Sequence, residues 1–271
     1  MHTFTVEGPD VTRAWIAACN ALDRKGNGAR TGYHTVVRIA DATADDPAFR
    51  KDLERVRAHA APAGTYKPVE TVANTIFPQS LGARCASHEQ LADRYRALYP
   101  AARRFPGNHR DTYFGRLIAY PGTDGHIDQI AKIIDRLTRQ TATRAPMTAA
   151  YEVDVAHPSD IDTGEASATA DALVHTTERD NLIRGFPCLS MCSFQLDRHG
   201  TLHTAAYYRS HFMLERAYGN YLGLGRLSAH IARHAGLKQG TLTVFAGYAQ
   251  LDGPITSIRP LLTATPPMLA A

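Results

Sequence analysis

The sequence predicts an α+β fold. Segments of helical and of strand periodicity are both present. They mix without the regular β-α-β alternation of a doubly wound sheet. One stretch, Cys188 to Tyr208, also reads as a tight hairpin that leads toward a long helix. With 44% hydrophobic residues in 271, a full core is expected. The chain reads as one domain over 1–271. The net charge of +4, from 30 Lys+Arg against 26 Asp+Glu without a long basic run, suits a local phosphate site and not a nucleic-acid track. Four cysteines in this length do not form a disulfide framework, so a reducing compartment is expected. Met1-His2-Thr3-Phe4 has no signal-peptide pattern, and no apolar run is long enough to span a bilayer. A cytoplasmic protein is the expectation.

Asp10 is placed to cap a helix whose apolar positions are Val11, Trp15, Cys19 and Leu22. Lys25-Gly26-Asn27-Gly28 breaks it, and Ala29-Arg30-Thr31-Gly32 leads into a strand from Tyr33 to Ile39. Arg30, at the lip of a Gly-rich loop, is a candidate phosphate hook, although a solvated arginine is the commoner outcome. Asp45 to Ala60 reads as an Arg-rich surface helix, and Val69 to Phe77 as helix or strand, ended by Pro78. Ser87-His88-Glu89-Gln90 is a capping-box pattern opening a helix with Leu91, Tyr95 and Leu98 on one face, stopped by Pro100. Thr123-Asp124-Gly125 starts the clearest helix, with Ile127, Ile130, Ile134 and Leu137 inward and Asp128, Lys132, Arg136 and Arg139 outward. Thr148 to Val155 is a strand. Residues 157–181, rich in Ser, Thr, Asp and Ala, read as a surface insertion with one short helix near Thr169 to Val174. Leu224, Leu227, Ile231 and Ala235 define a second strong helix closed by Gly236, and Thr241 to Ala249 a final strand. Pro266-Pro267 sits in a loose tail.

Several constellations are weak. Cys188, Cys192, His199 and His203 have C-x3-C-x6-H-x3-H spacing, too short between pairs for a ββα zinc finger, so no metal site is read there. Gly219, Gly223 and Gly225 do not form G-x-G-x-x-G. Ser190, Asp197 and His199 do not make a triad, because turn residues beside a hairpin are usually just solvated. Cys192 reads as a small core hydrophobe. Cys188 differs. It follows the Gly185-Phe186-Pro187 loop and precedes a strand, Ser190 to Leu196. The turn Asp197-Arg198-His199-Gly200 then gives a second strand ending in Arg209-Ser210. A guanidinium near a thiol favours the thiolate, so this pattern suits a nucleophile beside an anion-binding group.

Phe186-Pro187-Cys188, the hairpin, Tyr208-Arg209-Ser210, and Asn220 eleven residues beyond Arg209 resemble the nucleotide site of the thymidylate synthase family, which includes the pyrimidine nucleotide hydroxymethylases. His126-Ile127-Asp128-Gln129-Ile130 followed by Thr143-Arg144, Arg30-Thr31-Gly32, and Tyr113-Phe114-Gly115-Arg116 are similar to further family segments in the same order, so the resemblance runs over about residues 10 to 252. It implies a mixed, mostly antiparallel sheet with helices on one face and a sheet-to-sheet homodimer. It implies transfer of a one-carbon unit, methyl or hydroxymethyl, to C5 of a pyrimidine nucleoside monophosphate. By position, Cys188 is the nucleophile, and Arg209, Ser210 and Arg30 hold the phosphate. Arg144 reaches the phosphate in the partner subunit, and Asn220 reads the pyrimidine edge. Gln250 and Asp252 stand where the family binds the sugar through His and Tyr.

The implied cofactor is 5,10-methylenetetrahydrofolate. The tryptophans that pack against folate in the family are absent, Trp15 being the only one in the chain. Leu189 replaces the usual His after the cysteine, Ala145 replaces a second Arg, and Glu70 is the nearest substitute for an expected Glu within Val72 to Phe77. Two alternatives stand beside this: a nucleotide-binding member that does not use folate, and a structural α+β dimer with a buried cysteine.

Overall fold

The computed structural model describes residues 2–60, 62, 66–102, 112–122, 125–143, 147, 151–155 and 188–264. Arg144, Ala145, the insertion at 157–181 and the Pro266-Pro267 tail lie outside the described residues. The elements in order are β1 (Thr5–Asp10), α1 (Val11–Leu22), β2 (Thr31–Asp41), α2 (Pro47–Ala60), α3 (Val69–Ile76), α4 (Gln79–Gly82), α5 (His88–Ala102), α6 (Tyr113–Ile118), β3 (Tyr120–Gly122), β4 (Gly125–Ile127), α7 (Gln129–Thr141), β5 (Tyr151–Asp154), β6 (Leu189–Leu196), β7 (Thr201–Phe212), a π-helical turn (Met213–Ala217), α8 (Tyr218–His234), β8 (Lys238–Gln250) and α9 (Ile255–Ala264). Six strands form a mixed sheet in the order β1-β2-β8-β7-β6-β5, and β3 pairs with β4. β1 runs parallel to β2, while β2 with β8 and β5 with β6 are antiparallel. The α+β expectation holds. Among the described residues no helix is long and apolar enough to cross a membrane.

The chain divides into two compact units, one of Met1–Ala73, Tyr208–Gly225 and Thr241–Ala271, the other of Asn74–Tyr207 and Arg226–Gly240. In the first, Asp10 caps α1 as expected, accepting from Arg13 N at 2.9 Å, and Val11, Trp15, Cys19 and Leu22 are all buried. α2 is the surface helix expected, and its buried stripe is Phe49, Leu53 and Arg57, so an arginine completes its inner face. Strand burial here slips out of alternation. Gly32 and Thr35 are both buried, as are Tyr208 and His211, and Ala246 and Ala249. Gly32 pairs with Ala249 and Thr35 with Ala246, so β2 and β8 slip at the same level. His34 lies there with φ of 50°, a left-handed conformation in which a strand cannot continue straight.

In the second unit, Ser87 Oγ accepts from Gln90 N at 3.3 Å to start α5. The inner stripe is Leu91, Tyr95 and Tyr99. Leu98 is 56% exposed, and the helix runs on to Ala102 with Pro100 in its last turn. α7 starts later than expected, because the cap is Asp128, accepting from Ala131 N at 2.9 Å, and Gly125–Ile127 is a strand. The buried stripe is therefore Ile130, Ile133 and Leu137. Asp128 does not face outward. Its carboxylate meets His88 Nε2 at 3.0 Å and Arg96 at 3.2 Å, while His88 Nδ1 meets His230 Nε2 at 3.1 Å. The hairpin turn is built by Asp197, whose Oδ1 accepts from His199 N and Thr201 N, each at 2.8 Å.

Candidate functional site

β7 runs on to Phe212, beyond the Arg209-Ser210 end read from the sequence, and carries Arg209 and Ser210 on its last stretch. The rings of Tyr208 and His211 stack with centroids 4.3 Å apart and planes 9° apart. Side chains three apart on a regular strand point to opposite faces. The stack therefore requires the backbone to bend at Arg209-Ser210, leaving Arg209 exposed and Ser210 half-buried. His211 is 2% exposed and Asn220 3%, and Asn220 Nδ2 donates to His211 Nε2 at 3.1 Å. Burial pulls the His211 pKa down to about 3, so the ring is neutral at ordinary pH. Tyr221 closes the other side, edge-on to His211 at 5.5 Å. Its hydroxyl is buried without a hydrogen-bond partner among the described residues.

Asn220 is the third residue of α8, and a dense set of anchors fixes the start of that helix. Trp15 Nε1 donates to Met213 O at 2.8 Å. The Asp252 carboxylate accepts from Leu214 N at 2.7 Å and Glu215 N at 3.1 Å. Arg57 Nη2 donates to Glu215 O at 3.1 Å and to Lys67 O. The Tyr218 hydroxyl donates to Asp45 at 3.2 Å and lies 2.7 Å from Thr12 Oγ1, which in turn accepts from Asp46 N. Each satisfies a backbone or buried polar group that would otherwise be costly. A π-helical turn is an unfavourable local geometry that often marks a functional site.

Arg30, Gln250 and Asp252 belong to the same unit. Arg30 has φ of 52°, strained for a residue with a Cβ. The Asn27 side chain stabilises this loop, donating to Leu22 O at 2.9 Å and to Thr31 O at 3.0 Å. Leu251 N donates to Arg30 O at 3.0 Å, and Thr31 pairs with Gln250, so the Arg30 loop meets the end of β8. Arg30 Nε is buried with no acceptor among the described residues. Gln250 accepts from the Tyr248 hydroxyl at 3.0 Å. Asp252, expected at the sugar, spends an oxygen on each of two backbone N–H groups, and burial raises its pKa.

Cys188 belongs to the second unit. It stands directly before β6 and is half-buried, whereas Cys19, Cys85 and Cys192 are buried. Burial pushes the Cys192 thiol up to about 12, which fits the core role read for it. Leu189 is fully buried. Glu70 lies in the first turn of α3, 3.9 Å from Arg50. Sequence reasoning missed His211, Arg57 and Tyr221. Arg57 was visible in principle, because Phe49, Leu53 and Arg57 recur every four residues. Nothing in a one-dimensional reading marks His211, whose role comes from the bend.

No family model matches the chain. A curated protein of Methanopyrus kandleri named "Putative thymidylate synthase" is 30% identical over 140 residues, 52% of this chain and 54% of that protein. Proteins of the same name from Methanocaldococcus jannaschii and Methanococcoides burtonii are 30% identical over 131 residues and 28% over 128, covering 50% and 48% of their own lengths. The chain spans about half the length of the curated relatives it matches. Together they support a distant thymidylate-synthase-like relationship.

Proposed function

We propose that this protein modifies C5 of a pyrimidine nucleoside monophosphate by one-carbon transfer, as methyl or hydroxymethyl, through a covalent adduct of Cys188 at C6. The observation that carries the reading is the bend of β7. It exposes Arg209 beside Ser210, and its next residue, His211, holds Asn220. Arg209, Ser210 and Arg30 bind the phosphate, and Arg144 contributes to the phosphate bound in the partner subunit. Asn220 pairs with the base, with uracil favoured. Gln250 and Asp252 lie toward the sugar. The relatives' shared name supports the reaction class, and Cys188 is the one cysteine of the four that is not buried.

In this mechanism the Cys188 thiolate forms a bond to C6, and the C5=C6 electron pair moves onto C5, spread over the neighbouring carbonyl. C5 becomes a carbon nucleophile. After it bonds to the one-carbon unit, the C5 proton leaves to a base, and the pair left behind expels the thiolate and restores the double bond. A unit at the oxidation level of formaldehyde gives the hydroxymethyl product in this way, and a methyl product takes two further electrons, as hydride, from a reducing co-reactant. Guanidinium groups on the phosphate hold the ring in place while this happens. The resemblance names methylenetetrahydrofolate as donor. The described residues do not supply the expected tryptophan platform, since Trp15 is fully buried with its N–H on Met213. No step is derived through the folate. That same observation favours a second reading, a nucleotide-binding relative with another co-reactant.

A sheet-to-sheet homodimer fits Tyr33 and Phe245, sheet residues that are 43% and 42% exposed. Scarce, unpaired cysteines suit the cytoplasm. Titration calorimetry with uridine and cytidine monophosphates, ribo and deoxy, tests the phosphate assignment. Arg209→Ala should weaken binding by about 2 kcal/mol, roughly 30-fold. Unchanged affinity contradicts it.

A further inference from the structure

We infer that His211 is a positioning residue that fixes the rotation of the Asn220 carboxamide, and thereby selects a 4-oxo over a 4-amino pyrimidine. This rests on the reading of Asn220 as the residue that pairs with the base.

A carboxamide is nearly symmetric in shape and opposite in chemistry at its two ends: one oxygen accepts and one NH2 donates. Uracil presents a donor at N3 and an acceptor at O4, whereas cytosine presents an acceptor at N3 and a donor at N4. Rotating the amide by half a turn exchanges the base that it matches. Asn alone therefore does not discriminate, and something must hold it.

His211 does so. Asn220 Nδ2 faces His211 Nε2 at 3.1 Å, so that ring nitrogen accepts and the ring proton lies on Nδ1. Stacking on Tyr208 at 4.3 Å and the edge of Tyr221 at 5.5 Å hold the imidazole plane. Both partners are almost fully buried, and burial keeps the ring uncharged. Turning the amide over would set Oδ1 against the Nε2 lone pair, two acceptors in contact away from water. Relief would need the proton to move from Nδ1 to Nε2. With the amide held, one N–H is committed to His211, and the second N–H and Oδ1 remain for the base.

The experiment compares the affinities of uridine and cytidine monophosphates for the wild-type protein and for His211→Phe, which keeps the stacked ring and removes the acceptor. The wild-type protein should prefer the uridine nucleotide, and the variant should lose tenfold or more of that preference. A folded variant with an unchanged ratio, or a wild-type protein without preference, overturns the inference. Long-range proton–nitrogen NMR on histidine-labelled wild-type protein needs no variant. It should show His211 protonated at Nδ1 and bare at Nε2 at neutral pH, and an Nε2–H or a charged ring overturns the inference. Failure of every pyrimidine nucleotide to bind the wild-type protein removes the functional reading and this inference with it. Binding with an unaltered ratio removes this inference alone.

Discussion

His211 and His230 are imidazoles that folding strips of water, one in each unit, and that cost has a measurable sign. Each has a folded pKa of about 3 against an ordinary 6.5. For His230 the cause is burial first, then the charges of His234, His88 and Arg233. A base whose folded pKa is depressed binds its proton more readily when unfolded. Stability is therefore full above 6.5 and falls as the pH drops from 6.5 toward about 3. Between pH 7 and pH 5 each ring should remove about 2 kcal/mol. Urea unfolding at the two pH values measures this, and equal stabilities contradict it. The cysteines show how far residue type could be read. Cys188 and Cys192 lie four positions apart, and the Gly185-Phe186-Pro187 loop before Cys188 told them apart: Cys192 lies on the buried face of β6, and Cys188 stands half-buried before it. Asp252 shows the limit. Its position suggested a sugar contact, and nothing in the sequence showed that its carboxylate also accepts from Leu214 N and Glu215 N in the turn that starts at Met213.

At the scale of elements, α8 decides where Asn220 sits, and glycines let it approach its neighbours. A Cβ at Gly219 would lie 2.8 Å from Val69 O, and one at Gly225 would run into the carbonyl of Ala42. Both obstacles are backbone, which cannot step aside as a side-chain tip can. Gly225→Ala should cost about 2 kcal/mol or more and displace the start of the helix. Thermal unfolding with a melting temperature equal to the wild type contradicts that. Strongly periodic helices and the hairpin were legible, because apolar spacing, caps and turn residues agreed there. α7 was shifted, since Thr123-Asp124 and Asp128 both resemble caps and two isoleucine stripes fit the same period. β1 escaped notice because it is an edge strand with no fully buried residue, containing Gly8 and Pro9. α9 escaped because no element was read between the last strand and the Pro266-Pro267 tail, and Pro260 interrupts its helical pattern, although Ile258, Leu261 and Leu262 are buried and Arg259 ties the helix to Asp23 at 2.8 Å.

For the molecule as a whole, the chain carries a mild net charge of +4 and mixes helices and strands in an α+β fold. The α+β class was legible because helical and strand periods alternate irregularly along the chain. The candidate site residues were read as an order of motifs, whereas the Tyr208–His211 stack and the buried guanidinium of Arg57 depend on contacts that no local pattern encodes. The central claim is that the Cys188 sulfur adds to C6 of a pyrimidine nucleotide and thereby labilises the C5 hydrogen. Tritium release from C5-tritiated uridine and cytidine monophosphates, ribo and deoxy, with and without methylenetetrahydrofolate, tests it most directly. The account predicts release by the wild-type protein that disappears in Cys188→Ala. Release that persists in Cys188→Ala, or its absence from every nucleotide in either condition, would contradict it.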